Sequence, residues 1–138
     1  MIPTTEWMAS NFAIFNKRYF DNKLKTPKFV VGCDEGCLGQ FYGNFEYNII
    51  SRKVFNIKRN TLYLTDEYDR REKDVLSTLL HEMIHAYIWT VSKVCPINDH
   101  DWRFKKWANK INKDGWSVAP ETELKRSDKY VKNKKCSR

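Results

Sequence analysis

Three features of this 138-residue sequence predict one α+β domain. Apolar residues recur at helical spacing in residues 5–20 and again in 70–112, short β-type runs fill the middle, and the length suits one core. Hydrophobic residues make up 41% and aromatics 14%, enough for a packed core and too many for a disordered chain. The expected order is an N-terminal helix, a small antiparallel sheet, a long helix and a following helix. No apolar stretch approaches the roughly 20 residues that span a bilayer, and Met1–Glu6 lacks the basic and apolar parts of a secretory signal. A cytoplasmic monomer that avoids membranes is the expectation.

The first helix opens at Thr4-Thr5-Glu6, where either threonine can cap, and Trp7, Met8, Phe12, Phe15 and Tyr19 mark its apolar positions. From Lys28 the pattern shortens to β-type runs at 29–31, 38–42, 47–50, 54–57 and 61–64. Gly32, Gly36, Gly43-Asn44 and Asn60 punctuate these runs, which reads as an antiparallel meander. Whether 47–57 is one strand or two stays open. Asp69-Arg70-Arg71-Glu72 has the form of a capping box and starts the longest helix, about Arg70 to Thr90. Asn98 or Asp99 can cap a third helix through about Asn112, with Phe104, Trp107, Ala108 and Ile111 on its apolar face. The domain is expected to span 1–115, with a basic, partly ordered extension over 116–138.

Charge is distributed unevenly. Residues 1–102 carry 13 basic and 13 acidic side chains, whereas 103–138 carry 12 and 4, so the net +8 lies in the last 36 residues. Such a tail suits a polyanion, although a solvated basic surface is the plain alternative. Cys33, Cys37, Cys95 and Cys136 show no disulfide pattern, and no second close pair follows Cys33-x-x-x-Cys37 to complete a zinc site. Reduced thiols are the expectation.

His81-Glu82-Met83-Ile84-His85 is an H-E-x-x-H motif inside the predicted long helix. At about 100° per residue, His81 stands at 0°, His85 at about 40° and Glu82 at about 100°. Leu76, Leu80, Met83, Ile84 and Tyr87 fall at roughly 200–300°, on the opposite face. Both imidazoles can therefore reach one metal while the other side of the helix anchors in the core. Two unmetallated histidines are the bland alternative, disfavoured by the spacing and the adjacent glutamate. A catalytic zinc usually has three protein ligands and an open position. The metzincin extension would need Gly at 88 and His at 91, but Ile88 and Val91 stand there. His100 is the remaining histidine and the preferred third ligand, with Asp99, Asp101, Glu121 and Glu123 as carboxylate competitors.

Thr78-Leu79-Leu80-His81-Glu82-Met83-Ile84-His85-Ala86-Tyr87, followed by His100-Asp101-Trp102-Arg103-Phe104, resembles the SprT-like metalloprotease domain, a family that includes Spartan-type proteases of DNA–protein crosslinks. Asn16-Lys17-Arg18-Tyr19-Phe20 with Leu24, Leu38-Gly39-Gln40-Phe41 and Leu62-Tyr63-Leu64-Thr65 extend the resemblance over about residues 5–115. It implies a zincin-like fold, one Zn2+ per chain on His81, His85 and His100, and Glu82 as the catalytic residue. Asp101 stands where the family often has glycine, and the sequence given shows no cysteine-rich zinc element.

Zinc chemistry of this type lowers the pKa of a coordinated water toward about 7, and Glu82 can take its proton as it attacks a peptide carbonyl. Tyr42, Tyr63 and Tyr87 are unranked candidates for stabilising the oxyanion. Arg103, Lys106 and Lys110 beside Trp102 and Trp107 are candidate contacts to DNA, single-stranded or at duplex junctions, and the run Ser127–Arg138, with Lys129, Lys132, Lys134 and Lys135, is the preferred polyanion contact. Binding DNA would place the protein at the nucleoid. Three readings follow: a zinc endopeptidase acting on DNA-associated or crosslinked proteins, a zinc peptidase with no nucleic-acid role, and an inactive zinc-fold module that binds nucleic acid. Glu82 argues against the third, because a purely structural site needs no such carboxylate.

Overall fold

The computed structural model describes residues 1–33 and 37–131. Helix α1 spans Thr5–Tyr19, with the Thr4 hydroxyl accepting the Trp7 N–H at its start. It buries Met8, Phe12, Phe15 and Tyr19, the stripe that the spacing predicts. Beyond its end, the buried Asn16 amide donates to the Leu24 carbonyl and accepts the Leu24 N–H, tying the turn back onto the helix.

Strands β1 (Lys28–Gly32), β2 (Gly39–Tyr47) and β3 (Val54–Thr65) form a sheet in the order β1-β3-β2. The expected meander is corrected here: β1 pairs parallel with β3, and β2 pairs antiparallel with it. The run Thr61–Thr65 is buried throughout, so β3 takes the centre, where a strand is covered on both sides. The runs at 54–57 and 61–64 join into this one long strand, with Asn56 and Arg59 at positive φ between them. The run expected at 47–50 instead turns the chain after Tyr47. Asn48 Oδ1 accepts the N–H groups of Ile50 and Ser51, and both isoleucines are exposed. A side-chain amide bound to its own following backbone favours a turn over a ladder.

Helix α2 spans Glu72–Thr90 and begins two residues later than expected, because Asp69 is not its cap. Asp69 lies in a two-residue strand, β4 (Tyr68–Asp69), and its carboxylate pairs with the Met1 ammonium 2.5 Å away. Helix α3 spans Trp102–Asn112 and is capped by Asp101, whose carboxylate accepts the Arg103 N–H, rather than by Asn98 or Asp99. His100 therefore sits in the turn ahead of α3 and not on it.

Past α3 the chain folds back across α2. Val118 is buried, Trp116 packs edge-on against Phe15, and the short strand β5 (Lys129–Tyr130) pairs with β4. Lys125 and Asp128 reach Asp74 and Arg70. This returning segment, residues 116–131, is anchored by both apolar and ionic contacts. The expectation of reduced thiols is corrected at one position: Cys33 is disulfide-bonded, while Cys95 is a buried free thiol. The Glu67 carbonyl accepts the Val131 N–H. Among the described residues, no helix is long and apolar enough to cross a membrane.

Candidate metal centre

Helix α2 is buried from Asp74 through Ile84, its histidine side included. Its leucines and Met83 face the core, while β2 lies over Glu82 and the returning segment covers His81. The turn before α3 brings His100 to the same place. His81 Nε2 lies 3.1 Å from His85 Nε2 and 3.3 Å from His100 Nε2. Ligands about 2.0–2.1 Å from one zinc at tetrahedral angles stand about 3.3 Å apart, so the spacing fits that ion. The three rings rest on Phe104, with centroids 4.7, 5.1 and 4.8 Å from its own for His81, His85 and His100. Phe104 is fully buried and forms the floor of the cluster.

The tautomer of His81 follows from its other nitrogen. Nδ1 lies 2.8 Å from the Ala119 carbonyl oxygen, which can only accept, so Nδ1 carries the proton and Nε2 presents its lone pair. Among the described residues, His81, His85 and His100 form the group that could hold a metal ion, with ligand atoms all within 4.8 Å of one another.

A family comparison adds to this geometry. A model of the SprT-like family matches residues 8–128. The chain belongs to the SprT-like family. Comparison with curated proteins finds no match. The SprT-like family is one of metallopeptidase-like domains, and the histidine cluster of this member fits a metal site. The match runs past residue 115 into the segment that supplies the Ala119 carbonyl.

Electrostatics in this SprT-like site follow from burial. Desolvation, helped by the neighbouring imidazoles His81 and His100, lowers the His85 pKa to about 3. Desolvation also lowers His81 to about 4, with the Ala119 carbonyl opposing the shift and His100 adding to it. Both rings are neutral at pH 7, the state a metal requires. Desolvation pushes Glu82 up to about 8, opposed by the Phe41 backbone hydrogen bond and aided by the charge of Asp99. Glu82 and the three histidines open into a cleft of about 420 Å3 bordered by β2.

The carboxylate competitors take other places. Asp99 lines the cleft, Asp101 caps α3 and pairs with Arg103, and Glu121 and Glu123 line a separate hollow beside His81. Of the tyrosines, Tyr42 lines the cleft, whereas the Tyr63 hydroxyl donates to the Gly32 carbonyl and Tyr87 packs on Phe20 and Trp107.

Arg103 pairs with Asp101 at 2.6 Å and its guanidinium lies over the Trp102 ring at 4.8 Å. The Lys110 ammonium lies 5.1 Å from the centroid of Trp107. With Lys106 they line a groove of about 840 Å3 between α3 and the end of α2, where Ile88 and Ser92 also border it. Lys129 lies in β5, paired with β4, and Lys132, Lys134 and Lys135 lie outside the described residues. Sequence reasoning missed the Ala119 carbonyl, the Phe41 N–H and the Phe104 floor. Only Phe104 had a signal, its fixed distance of four residues from His100.

Proposed function

We propose that this SprT-like protein is a zinc-dependent endopeptidase with Glu82 as its general base and acid, acting on DNA-associated or DNA-crosslinked proteins. One observation carries the peptidase reading: three imidazole Nε2 atoms converge beside a buried carboxylate in a cleft flanked by a strand edge. Zinc, when bound, supplies Lewis acidity that lowers the pKa of water toward about 7, polarises the scissile carbonyl and favours the ionised form of Glu82.

The residues of the chain do the rest. His81, His85 and His100 bind through neutral nitrogens, and the Ala119 carbonyl keeps His81 in the tautomer that allows it. Glu82, held by the Phe41 N–H, takes a proton from the attacking water and returns it to the leaving amine. Strand β2 is an edge of its sheet, so an extended substrate can pair with it beside Glu82. Tyr42 is the candidate tyrosine donor for the developing oxyanion.

The DNA part of the reading rests on the groove along α3. Arg103, Lys106 and Lys110 supply charge, and the exposed Trp102 supplies a ring on which an unpaired base can stack. The groove begins within three residues of His100, so a protein bound to that strand would be held near the cleft.

Zinc content and digestion of a DNA-binding protein, with and without single-stranded DNA, test both parts. His81→Ala loses the zinc. Glu82→Gln keeps it and cleaves at least about 100-fold more slowly. A Glu82→Gln variant as active as wild type overturns the mechanism. Wild-type activity indifferent to DNA at low and moderate salt supports a peptidase without a nucleic-acid role.

A further inference from the structure

The Ala119 carbonyl that orients His81 comes from a stretch of chain with no helix or strand of its own. Such a stretch holds an atom in place only if something else fixes its backbone. The neighbouring residue, Val118, donates its N–H to Asn112 Oδ1 at 2.8 Å, and its carbonyl accepts from Asn112 Nδ2 at 2.8 Å. One side-chain amide thus satisfies both polar groups of a single residue, the geometry a ladder partner would provide. The Ser117 N–H adds a bond to Ser77 Oγ at 3.1 Å, and the Val118 side chain is 5% exposed.

We infer that Asn112 is a positioning residue of the metal centre: its amide sets the backbone at Val118 so that the adjacent Ala119 carbonyl holds His81 in its ligating tautomer and aim. The inference rests on the metal-site reading and adds to it a residue that touches neither metal nor substrate. Outer partners of ligating histidines are worth about 10–100-fold in metal affinity. Asn112 acts one step further out, through a backbone that it alone grips on both sides.

The molecule contains its own control. Asn16 makes the same two bonds to the backbone of Leu24, at 2.9 and 3.1 Å, where no ligand is nearby. Removing either amide leaves an N–H and a carbonyl without their partner, buried at Leu24 and part-buried at Val118, so both should lower stability. Only one should disturb the metal.

The test compares Asn112→Ala with Asn16→Ala in the full chain. Zinc dissociation constants are measured by chelator competition, the visible spectrum of the cobalt-loaded protein is recorded, and thermal midpoints are taken without metal. Asn112→Ala is expected to weaken zinc about tenfold or more and to change the cobalt spectrum. Asn16→Ala is expected to lose comparable thermal stability while staying within about twofold of wild type in zinc affinity. If the two variants bind zinc alike, the inference is overturned. Should Asn112→Ala fail to fold, Asn112→Asp keeps the acceptor for the Val118 N–H and loses the donor to its carbonyl. That variant must then show weaker zinc than Asn16→Ala, or the inference fails. Wild type without zinc affinity would instead overturn the metal reading itself.

Discussion

Glu82 stands 5% exposed, and desolvation holds its pKa at about 8. In the metal-free protein this raised value has a stability consequence. A carboxyl whose folded pKa exceeds its unfolded value of about 4.5 binds its proton more tightly when folded. That contribution is fully present below pH 4.5 and is lost as pH rises through about 8. With chelator present, Glu82→Gln should therefore melt near wild type at pH 4.5 and be more stable at pH 9, by roughly 2–4 kcal/mol. A gap that stays constant from pH 4.5 to 9 would mean the carboxyl is not desolvated. Most of this residue-level chemistry was legible, because H-E-x-x-H is local and a helix dictates that its histidines share a face. His100 could be favoured by being the remaining histidine. The Ala119 carbonyl could not be foreseen, since a backbone oxygen carries no sequence signature and any residue at 119 would provide it.

Strand β2 and helix α2 meet at Gly39. A methyl group there would lie 3.0 Å from Leu64 Cδ2 and Thr78 Cγ2 and 3.2 Å from Glu82 Cγ. Glycine is needed for that approach, which also brings the Phe41 N–H to the carboxylate. Gly39→Ala should push β2 from α2 and shift Glu82, costing about 1–3 kcal/mol of stability. Activity should fall at least tenfold with one zinc still bound per chain. Loss of zinc with activity per bound ion unchanged would place the strain on the histidines instead. Among the elements, the helices were readable because their apolar residues repeat over many turns. Pairing partners were not: nothing local distinguishes a parallel β1 from an antiparallel one, and Ile49-Ile50 looks like a strand until Asn48 bends it. The two misplaced caps share a cause. Asp69 and Asp99 have the right chemistry, but tertiary contacts place the former in β4 and the latter at the cleft.

Across the whole molecule, the basic excess is not one surface. Arg103, Lys106 and Lys110 lie along α3, whereas Lys129 is on the flank where β5 meets β4, and Lys125 is paired with Asp74. If the α3 groove holds a single strand, each phosphate contact contributes about 0.7 to the slope of log affinity against log salt. Replacing Lys106 and Lys110 together by alanine should lower that slope by about 1.4 in titrations of a single-stranded oligonucleotide. An unchanged slope and affinity would remove this groove from the binding surface. The sequence marked where the charge begins, just past His100, but its polar character after residue 115 hid how firmly that stretch is held. Val118 and the side chain of Asp128 are buried among residues that look solvent-facing, and an ion pair between Asp128 and Arg70 leaves no pattern to read at that separation.

Helix α3 joins two parts of the centre: its preceding turn carries His100, and its last residue is Asn112. A one-residue insertion would rotate one end about 100° and move it 1.5 Å along the axis relative to the other. Ligand and backbone clamp would then fall out of phase even if every side chain were retained. The helix therefore works as a spacer of fixed pitch, open to substitution on its outer face and closed to any change in length.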